Sequence, residues 1–469
     1  MQTLNNFHLM SMAAVLLLVT AVGVYSGRKI KSASDFAVGG RSARPVLVAA
    51  TIMGTLVGGA STIGTAQLAF RYGFAAWWFT LGGGIACLIL ALGLAKPLWK
   101  SQHETIPELL GAVYGGNTAA WASVFSSIGT FLNLVAQLLA AVALLTSMLT
   151  MPPWVAATLA GGLMAAYVVF GGVWGAGLVG FTKLVLLYGS LIITGLLAYR
   201  LTGGWEALQT TFPSFPWFSL LGRGATTDLA ACFSLVVGVL STQTYIQAIF
   251  SGRSAKAAQQ GALLSAVLIP PAGIPGILVG LFMRANFPEL EPGQALPVFI
   301  LRFLPSWLAG IALATLLVAV VGTGAGLALG ISTMVTKDIY QRYNAGNSPG
   351  RNLLVARLVI LTVIALSVLI VLNGNLGSLI LEWTYLSMGL RGATICFPLL
   401  AALFLQDKIN PLSGRWAVVL GPLAAILWKL TGFALDPLYP GLLVNFAVLG
   451  LGLIKRKSFY QVSAKQRLK

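Results

Sequence analysis

The chain has 469 residues, of which 57% are apolar and only 9% are charged, and its formal net charge is +18. A soluble domain normally carries about 25% charged residues, so this composition excludes a series of soluble domains and indicates a polytopic membrane protein. Apolar runs of about 20 residues, each long enough to cross a hydrocarbon core about 30 Å thick, recur along the whole sequence. Loops on the cytoplasmic side explain the excess of Lys and Arg, so we expect no nucleic-acid partner.

The apolar runs predict an all-α fold with about thirteen transmembrane helices. When the N-terminus is placed outside the cell, most Lys and Arg residues fall in inner loops and the C-terminus is cytoplasmic, as the positive-inside rule requires. The first run has a basic cluster after it and not before it, so we interpret it as a retained helix and not as a cleaved signal peptide. The expected location is the cell membrane. The predicted spans lie near residues 8–26, 45–70, 74–98, 119–149, 153–171, 176–201, 228–250, 260–284, 306–336, 352–373, 377–404, 411–431 and 436–455.

Cysteine, histidine and acidic residues give no sign of a disulfide framework, a zinc site or an enzyme. Cys87, Cys232 and Cys396 all fall within predicted spans, and His8 and His103 are isolated. The 11 acidic residues are scattered and lie mostly in loops. We therefore expect no catalytic residues and no cofactor apart from Na+ or H+ as a coupling ion. The expected partners are a small organic solute and the lipid bilayer, and the sequence points to no protein partner.

Two predicted spans are interrupted by small and polar residues. The second span contains Gly54, Gly58 and Gly59, and residues 241–244 (STQT) interrupt the seventh. Clustered glycines and hydroxyl groups can mean close helix packing, or an unwound segment whose free carbonyl groups bind an ion or a substrate, and composition leaves both open. Two interrupted spans five apart have opposite orientations. This pattern is expected where two inverted five-helix repeats meet at a midplane site.

Several stretches between residues 32 and 343 together carry a specific pattern. They are SASDFAVGGRS, STIGTAQLAFRYGFAAWW, FGGVWGA, QTYIQAIFSGRSAKAA, and FPELEPGQALPVFILRFLPSWLAG followed by ISTMVTKDIYQRY. Taken together they resemble the sodium/solute symporter family, which has the LeuT-type fold with a 5+5 inverted repeat. The resemblance implies an extra helix and loop in 1–44, repeats in 45–201 and 228–404, and two further helices with a basic cytoplasmic tail in 405–469.

The resemblance also implies a sodium site built from the second and ninth spans. Its carbonyl positions correspond to Gly54, Val57 and Ala319, and its hydroxyl positions to Gly322 and Thr323. Any residue can supply a backbone carbonyl oxygen, so Gly54, Val57 and Ala319 can all act as sodium ligands. Gly322 has no hydroxyl group, and only Thr323 keeps one.

A second departure from the family pattern lies in the sixth span. Val179, Gly180 and Lys183 stand where the family often has Thr, Asp and Gln, so an acidic group is absent and a cation is present one turn away. A lysine at mid-bilayer costs about 2.5–3.5 kcal/mol on insertion scales, so it must find acceptors in protein or water. One hypothesis is that Lys183 replaces the sodium ion and carries a proton. It resembles a lysine of sodium-independent amino-acid transporters that share this fold. The alternatives are snorkelling, pairing with an acid such as Glu382, or contact with substrate.

By resemblance, the substrate lies between the first, third, sixth and tenth core helices. The candidate side chains are Ser61, Thr62, Gln67, Asn133, Gln137, Gln243 and Thr244. Each offers hydrogen bonds at membrane depth, and packing or helix–helix hydrogen bonding is the alternative role for each. Arg391 is a further candidate, because a guanidinium can grip a carboxylate with two hydrogen bonds. It can equally bond to carbonyl groups of an unwound segment.

These observations predict a secondary active transporter that imports a small organic solute by alternating access. The resemblance favours sodium symport, whereas Gly180, Gly322 and Lys183 argue that sodium coupling is weakened or replaced. A proton-coupled or sodium-independent transporter of the same fold is the alternative. An alternative of another class is a transporter-like sensor or receptor, although such relatives carry long C-terminal signalling domains and about fifteen residues follow the last predicted span.

Overall fold

The computed structural model describes residues 4–27, 41–343, 349–433 and 435–467, and it describes the backbone alone at 23–27, 169–179, 343, 349 and 454–467. Its regular elements are helices, and over these residues the one β feature is an isolated bridge between Ala43 and Gly252. The predicted all-α fold is therefore confirmed. SASDFAVGGRS lies mostly outside the described residues, and FGGVWGA lies where the backbone alone is described.

The helices follow one another with short connections, and several begin with proline in the first turn, where a missing N–H group is harmless. The first ten are α1 (Asn6–Gly27), α2 (Pro45–Leu56), α3 (Thr65–Tyr72), α4 (Trp78–Ile89), α5 (Ala95–Lys100), α6 (Ile106–Tyr114), α7 (Thr118–Met148), α8 (Pro153–Leu201), α9 (Gly204–Thr211) and α10 (Ser214–Trp217). The others are α11 (Ala225–Leu240), α12 (Gln243–Phe250), α13 (Ala255–Leu268), α14 (Gly273–Asn286), α15 (Ala295–Phe303), α16 (Ser306–Met334), α17 (Gln341–Tyr343), α18 (Pro349–Asn373), α19 (Ile380–Phe404), α20 (Pro411–Thr431) and α21 (Leu438–Arg467).

Apolar helices cover every predicted span. Among the described residues, 8 helical stretches are long and apolar enough to cross a membrane, and the bent pair of α11 and α12 makes a ninth. Shorter apolar segments lie in α1, α2, α8 and α21. Helices α7 and α16 form the interior, with 78% and 83% of their most apolar stretches buried, whereas only 22% of α18 is buried. Helix α18 therefore lies on the outside of the helix bundle.

The predicted spans at 153–171 and 176–201 are joined by helical backbone, since α8 runs from Pro153 to Leu201. Met164 and Lys183 are 19 residues apart on α8, yet they contact the adjacent residues Gly324 and Thr323 of α16. A straight helix would hold them about 28 Å apart, so α8 is sharply bent between them and its two apolar stretches remain two spans. Glycine lowers helix propensity by up to about 1 kcal/mol per residue but keeps its N–H donor. A glycine-rich stretch such as 171–177 can therefore stay helical, whereas proline would have removed a donor.

Both polar interruptions are breaks in a helix. Helix α2 ends at Leu56, where Val57 leaves the helical conformation with φ −89° and ψ 88°, and a π-helical turn at Ala60–Gly64 leads into α3. Helices α11 and α12 meet at an angle of 43° across Ser241 and Thr242. The glycines of the first break also allow close packing. A Cβ atom at Gly59 would lie 2.6 Å from Cβ of Ala140 on α7.

Candidate cation and substrate site

Lys183 projects from α8 into the first helix break and is only 3% exposed. Helices α2 and α8 approach closely here, because a Cβ atom at Gly54 would lie 3.3 Å from the Cα atom of Gly180. The Lys183 ammonium donates to the Gly54 carbonyl at 2.6 Å, to the Ala319 carbonyl at 3.3 Å and to the Thr323 hydroxyl at 3.0 Å. An ammonium has three N–H donors, so these three acceptors satisfy it completely.

The break in α2 explains why an acceptor is available at Gly54. The last four carbonyl groups of a helix have no helical partner, and Gly54 lies two residues before the end of α2. Gly58 makes room for a second acceptor of Lys183, the Thr323 hydroxyl. A Cβ atom at this position would lie 2.6 Å from the Thr323 hydroxyl, so glycine leaves room for the threonine to reach Lys183.

The structure brings three of the five predicted sodium-site positions to Lys183, and the other two are not among its hydrogen-bond partners. Val57 is fully buried at the end of α2. Gly322 faces Tyr167 on α8, since a Cβ atom there would lie 3.8 Å from the Tyr167 hydroxyl. Glu382, which we considered as a pairing acid, is exposed in the first turn of α19. The side chain of Val179 lies outside the described residues.

Four substrate candidates surround the first break. The hydroxyls of Ser61 and Thr62 both donate to the Gly58 carbonyl, at 3.0 and 2.8 Å. The Gln137 side chain accepts from the Gly59 N–H at 2.9 Å and donates to the Asn133 side-chain oxygen at 3.3 Å. All four are buried. Ser61, Thr62 and Gln137 therefore already satisfy backbone groups at the break, and Asn133 supports Gln137.

Gln67 on α3 bridges the backbone that leads into α19. Its oxygen accepts from the Ile380 N–H at 2.9 Å, and its nitrogen donates to the Ser378 carbonyl at 3.2 Å. A cleft of about 360 Å³ lies beside it, lined also by Leu139 and other residues of α7, by Glu291 and other residues of the 291–294 segment before α15, and by the 375–380 segment. Gln67 therefore forms part of the wall of this cleft.

Gln243, at the start of α12, bridges the backbone that leads into α6. Its oxygen accepts from the Ile106 N–H at 2.8 Å, and its nitrogen donates to the Glu104 carbonyl at 3.0 Å. An ion pair adjoins this contact, because Lys337 lies 2.7 Å from the Glu104 carboxylate and 3.7 Å from that of Glu108. These contacts tie α12, the end of α16 and the start of α6 together.

Glu108 sits in the first turn of α6, and its environment holds its pKa below the usual value. Partial burial acts to raise the pKa, but the Glu104 N–H, the Lys337 ammonium, His103 and the Thr105 N–H all favour the carboxylate. The Glu104 N–H lies 3.1 Å from the carboxylate, and the His103 ring lies 3.7 Å away. The carboxylate is thus part of the contact that Gln243 completes.

Arg391 lies at the second break and is 1% exposed. Its guanidinium donates to the Thr242 hydroxyl at 2.8 Å, to the Ser387 carbonyl and hydroxyl at 3.2 and 2.9 Å, and to the Met388 sulfur at 3.2 Å. Thr244, the remaining candidate, is half-buried and packs toward Gly330 of α16. The structure therefore separates the candidates into a set at each break, with Gln67 outside both.

The sequence analysis missed several polar residues that complete these sites. Ser387 supports Arg391, and Glu104 pairs with Lys337 across more than two hundred residues. Ser387 and Arg391 are four residues apart on one helix, and this spacing predicts that their side chains are neighbours. Nothing in the sequence indicates the ion pair, because its members are distant along the chain.

Comparison with known proteins places this chain among transporters. Residues 36–421 match the model of the Sodium:solute symporter family. The sodium/pantothenate symporter of Escherichia coli is 23% identical over 95% of this chain and 95% of its own. The human high affinity choline transporter 1 is 22% identical over 93% of this chain and 80% of its own.

A solved structure shares the fold. A Na+-coupled sialic acid symporter, in a substrate-bound outward-open state, matches with a TM-score of 0.77 at 20% identity, over 96% of this chain and 97% of its own. This likeness confirms the predicted LeuT-type fold.

Proposed function

Because this chain belongs to the sodium:solute symporter family, it is a secondary active transporter, and we propose that the Lys183 ammonium takes the place of the coupling sodium ion. The observation that carries the proposal is the hydrogen bonding of Lys183 to Gly54, Ala319 and Thr323. By family resemblance, those oxygens are sodium ligands. Here the lysine occupies them and supplies the positive charge itself.

Electrostatics favours exclusion of sodium while Lys183 is charged. Two unit positive charges 4 Å apart repel by about 4 kcal/mol at an effective dielectric constant of 20. That energy corresponds to an affinity about 1,000-fold weaker. Sodium coupling through this cage therefore requires Lys183 to lose its proton or to move away.

The coupling ion in this proposal is a proton on Lys183. The protonated amine holds α2, α8 and α16 together through three hydrogen bonds that are strengthened by its charge. Loss of the proton removes the charge and one of the three donors, which loosens this junction. The proton thereby biases the equilibrium between two conformations, as a bound ion does in a symporter. A sodium-independent transporter with a permanently charged Lys183 is the alternative.

The transported solute in this proposal is a small organic molecule that reaches the two helix breaks from the cleft beside Gln67. The relatives carry pantothenate, choline or sialic acid, which supports a small organic solute for this chain. The proposed contacts are Ser61, Thr62, Gln67, Asn133, Gln137, Gln243, Thr244 and Arg391. They exchange their present hydrogen bonds for bonds to the solute.

We further propose two inverted repeats at 45–201 and 228–404, a cell-membrane location, an outer N-terminus and an inner C-terminus. The breaks at Val57 and at Ser241–Thr242 support the repeats, because they occur in the first helix of each. The distribution of basic residues supports this orientation, in which α6 lies on the cytoplasmic side.

The first test is the thermal stability of the purified protein in sodium chloride and in choline chloride at equal ionic strength. A ligand at 100 times its Kd adds about 2.7 kcal/mol of stability, so binding of sodium would be visible. We expect the wild type to show no sodium-specific shift. A clear stabilisation by sodium would contradict the exchange of sodium for lysine.

The second test is uptake into proteoliposomes of radiolabelled sugars, amino acids, monocarboxylates and vitamins under a sodium gradient, a proton gradient or neither. We expect the proton gradient to drive uptake by the wild type, and the Lys183→Met variant to lose that dependence. A Lys183→Met protein whose uptake keeps the wild-type pH and ion dependence would exclude Lys183 as the proton carrier.

A further inference from the structure

Arg391 is a buried positive charge that pairs with no acidic side chain in the part of the chain that the structure describes. The ion pairs found between described residues join His103 to Glu108, Arg223 to Asp228, and Lys337 to Glu104 and Glu108. None of them includes Arg391, whose described partners are neutral hydroxyl, carbonyl and thioether groups. A charged side chain within a membrane is expensive and normally marks a functional site or has a partner of opposite charge.

Other donors surround the same break. The first helical bonds of α12 run from Tyr245 and Ile246 to the Thr242 carbonyl, so the N–H groups of Gln243 and Thr244 before them have no helical acceptor. Ser241 is 1% exposed, and among the described residues the polar group beside its hydroxyl is the Cys396 thiol, which forms only weak hydrogen bonds.

The guanidinium itself retains binding capacity. A guanidinium has five N–H donors, and four of them reach described acceptors, which leaves the second N–H of Nη1. The Thr242 hydroxyl holds Nη1 in place, because it accepts from Arg391 and donates to the Gly238 carbonyl at 2.6 Å. A free N–H and a full charge thus lie beside the positive end of α12, which also favours an anion.

We propose that Arg391 and the break between α11 and α12 bind an anionic group of the transported solute, namely a carboxylate. This inference rests on the proposed transport function and names its substrate class. Family membership leaves the sign of the solute charge open, since pantothenate and sialic acid are acids and choline is a cation. In this chain the unpaired positive charge of Arg391 favours an anionic solute, because it would repel a cationic solute at the break.

The hydrogen bonds between Gln243 and the backbone before α6 form a gate next to the proposed anion site. Gln243 begins α12 one residue after Thr242, and it is held by the backbone before α6. A carboxylate at the break competes for the N–H groups of the first turn of α12 and pulls on this contact. Anion binding is thereby linked to opening of the path along α6.

The test uses probes that differ in charge and little else. Thermal unfolding of the purified full chain, in sodium-free buffer of constant ionic strength, is measured with lactate against lactamide and with pantothenate against pantothenol. We expect at least one carboxylate to stabilise the wild type with an affinity about tenfold or more above that of its neutral analogue. Equal effects of the paired probes, or no effect of either carboxylate, would overturn the proposal.

Variants locate the effect. Arg391→Gln is expected to weaken carboxylate binding about 10- to 100-fold and to leave the neutral probe unchanged, with Arg391→Lys in between. Arg253→Gln, at an exposed arginine, is the matched control and is expected to bind as the wild type does. Retained discrimination between the probes in Arg391→Gln would contradict the proposal. If that variant does not fold, Thr242→Val tests the same site by removing the hydroxyl that positions Nη1.

Uptake assays separate failure of this inference from failure of the proposed function. Wild-type and Arg391→Gln proteoliposomes that take up a neutral or cationic solute equally well would leave the transporter intact and remove the anion site. Carboxylate binding that depends on Arg391, with no uptake under any gradient, would support the site and remove the proposed transport.

Discussion

Gln67 and Gln243 make the same pair of hydrogen bonds at two distant places in the chain. In each case the amide oxygen accepts the N–H of the first residue of a helix, Ile380 or Ile106, and the amide nitrogen donates to the carbonyl two residues earlier. Seven predicted spans lie between Ile106 and Ile380, and in the proposed topology this odd number of crossings puts the two contacts on opposite faces of the membrane. Each glutamine lies just beyond a helix break. Each contact is therefore suited to close one side of the molecule.

Replacement of either glutamine by leucine is expected to loosen one face only. In Gln67→Leu, hydrogen exchange of the backbone around Ile380 should be about 2- to 10-fold faster, because a net hydrogen bond is worth about 0.5–1.5 kcal/mol. Exchange around Ile106 should stay as in the wild type. Gln243→Leu should give the reverse pattern, so each variant controls for the other. Equal changes at both faces in either variant would refute independent closure.

The fit between Gly58 and Thr323 makes the lysine cage sensitive to one added methyl group. A Cβ atom at Gly58 would lie 2.6 Å from the Thr323 hydroxyl, so Gly58→Ala must displace that hydroxyl from Lys183. We expect Gly58→Ala and Thr323→Val to change the proton dependence of uptake in the same direction. Gly326 lies on α16 with Thr323, and a Cβ atom there would have no neighbour within 4 Å, so Gly326→Ala should leave the proton dependence of uptake unchanged. Wild-type behaviour in Thr323→Val would show that the hydroxyl plays no part in coupling.

The close approach of α2 and α8 predicts a difference between two glycines. Gly54→Ala places a Cβ atom 3.3 Å from the Gly180 backbone, which cannot move without shifting a helix. Overpacking of this kind costs about 1–3 kcal/mol, so the thermal unfolding temperature should fall. Gly189→Ala on α8 meets nothing within 4 Å and should leave the temperature equal or raised, because alanine favours the helix. If both variants melt alike, the two helices have more room here than the structure shows.

Acid should weaken the contact at the start of α6. The folded protein holds the pKa of Glu108 below its usual value of 4.5. The unfolded chain therefore binds a proton first, so the stabilisation is fully present above pH 4.5 and is lost as the pH falls through the folded value. Glu108→Gln should lower the unfolding temperature at pH 7, and its difference from the wild type should shrink below pH 4.5. Glu289→Gln, at an exposed carboxylate, is the control, and an equal pH profile for both variants would argue against this assignment.

The sequence by itself determined the membrane class, the helical fold and the two breaks. Apolar runs of sufficient length dictate helices in lipid, because each backbone polar group must then bond within its own segment. A glycine and hydroxyl cluster at 54–65 and the polar run at 241–244 marked the two segments in which the breaks occur, although composition alone left close helix packing as an equal interpretation. Lys183 was marked out by charge alone, as a cation in an apolar span.

Only the tertiary structure decided what those residues contact. Lys183 and Thr323 are 140 positions apart, and Gln67 and Ile380 are 313 apart, so no local pattern could pair them. Gln67 and Gln243 were predicted as substrate contacts from their type and position, whereas the backbone that their amide groups bridge, at the start of α19 and α6, is known only from the fold. Local spacing predicts which face of a helix is polar. Which distant helix supplies the acceptors depends on how the helices pack, and in this chain that packing follows from glycines that let α2, α8 and α16 approach closely.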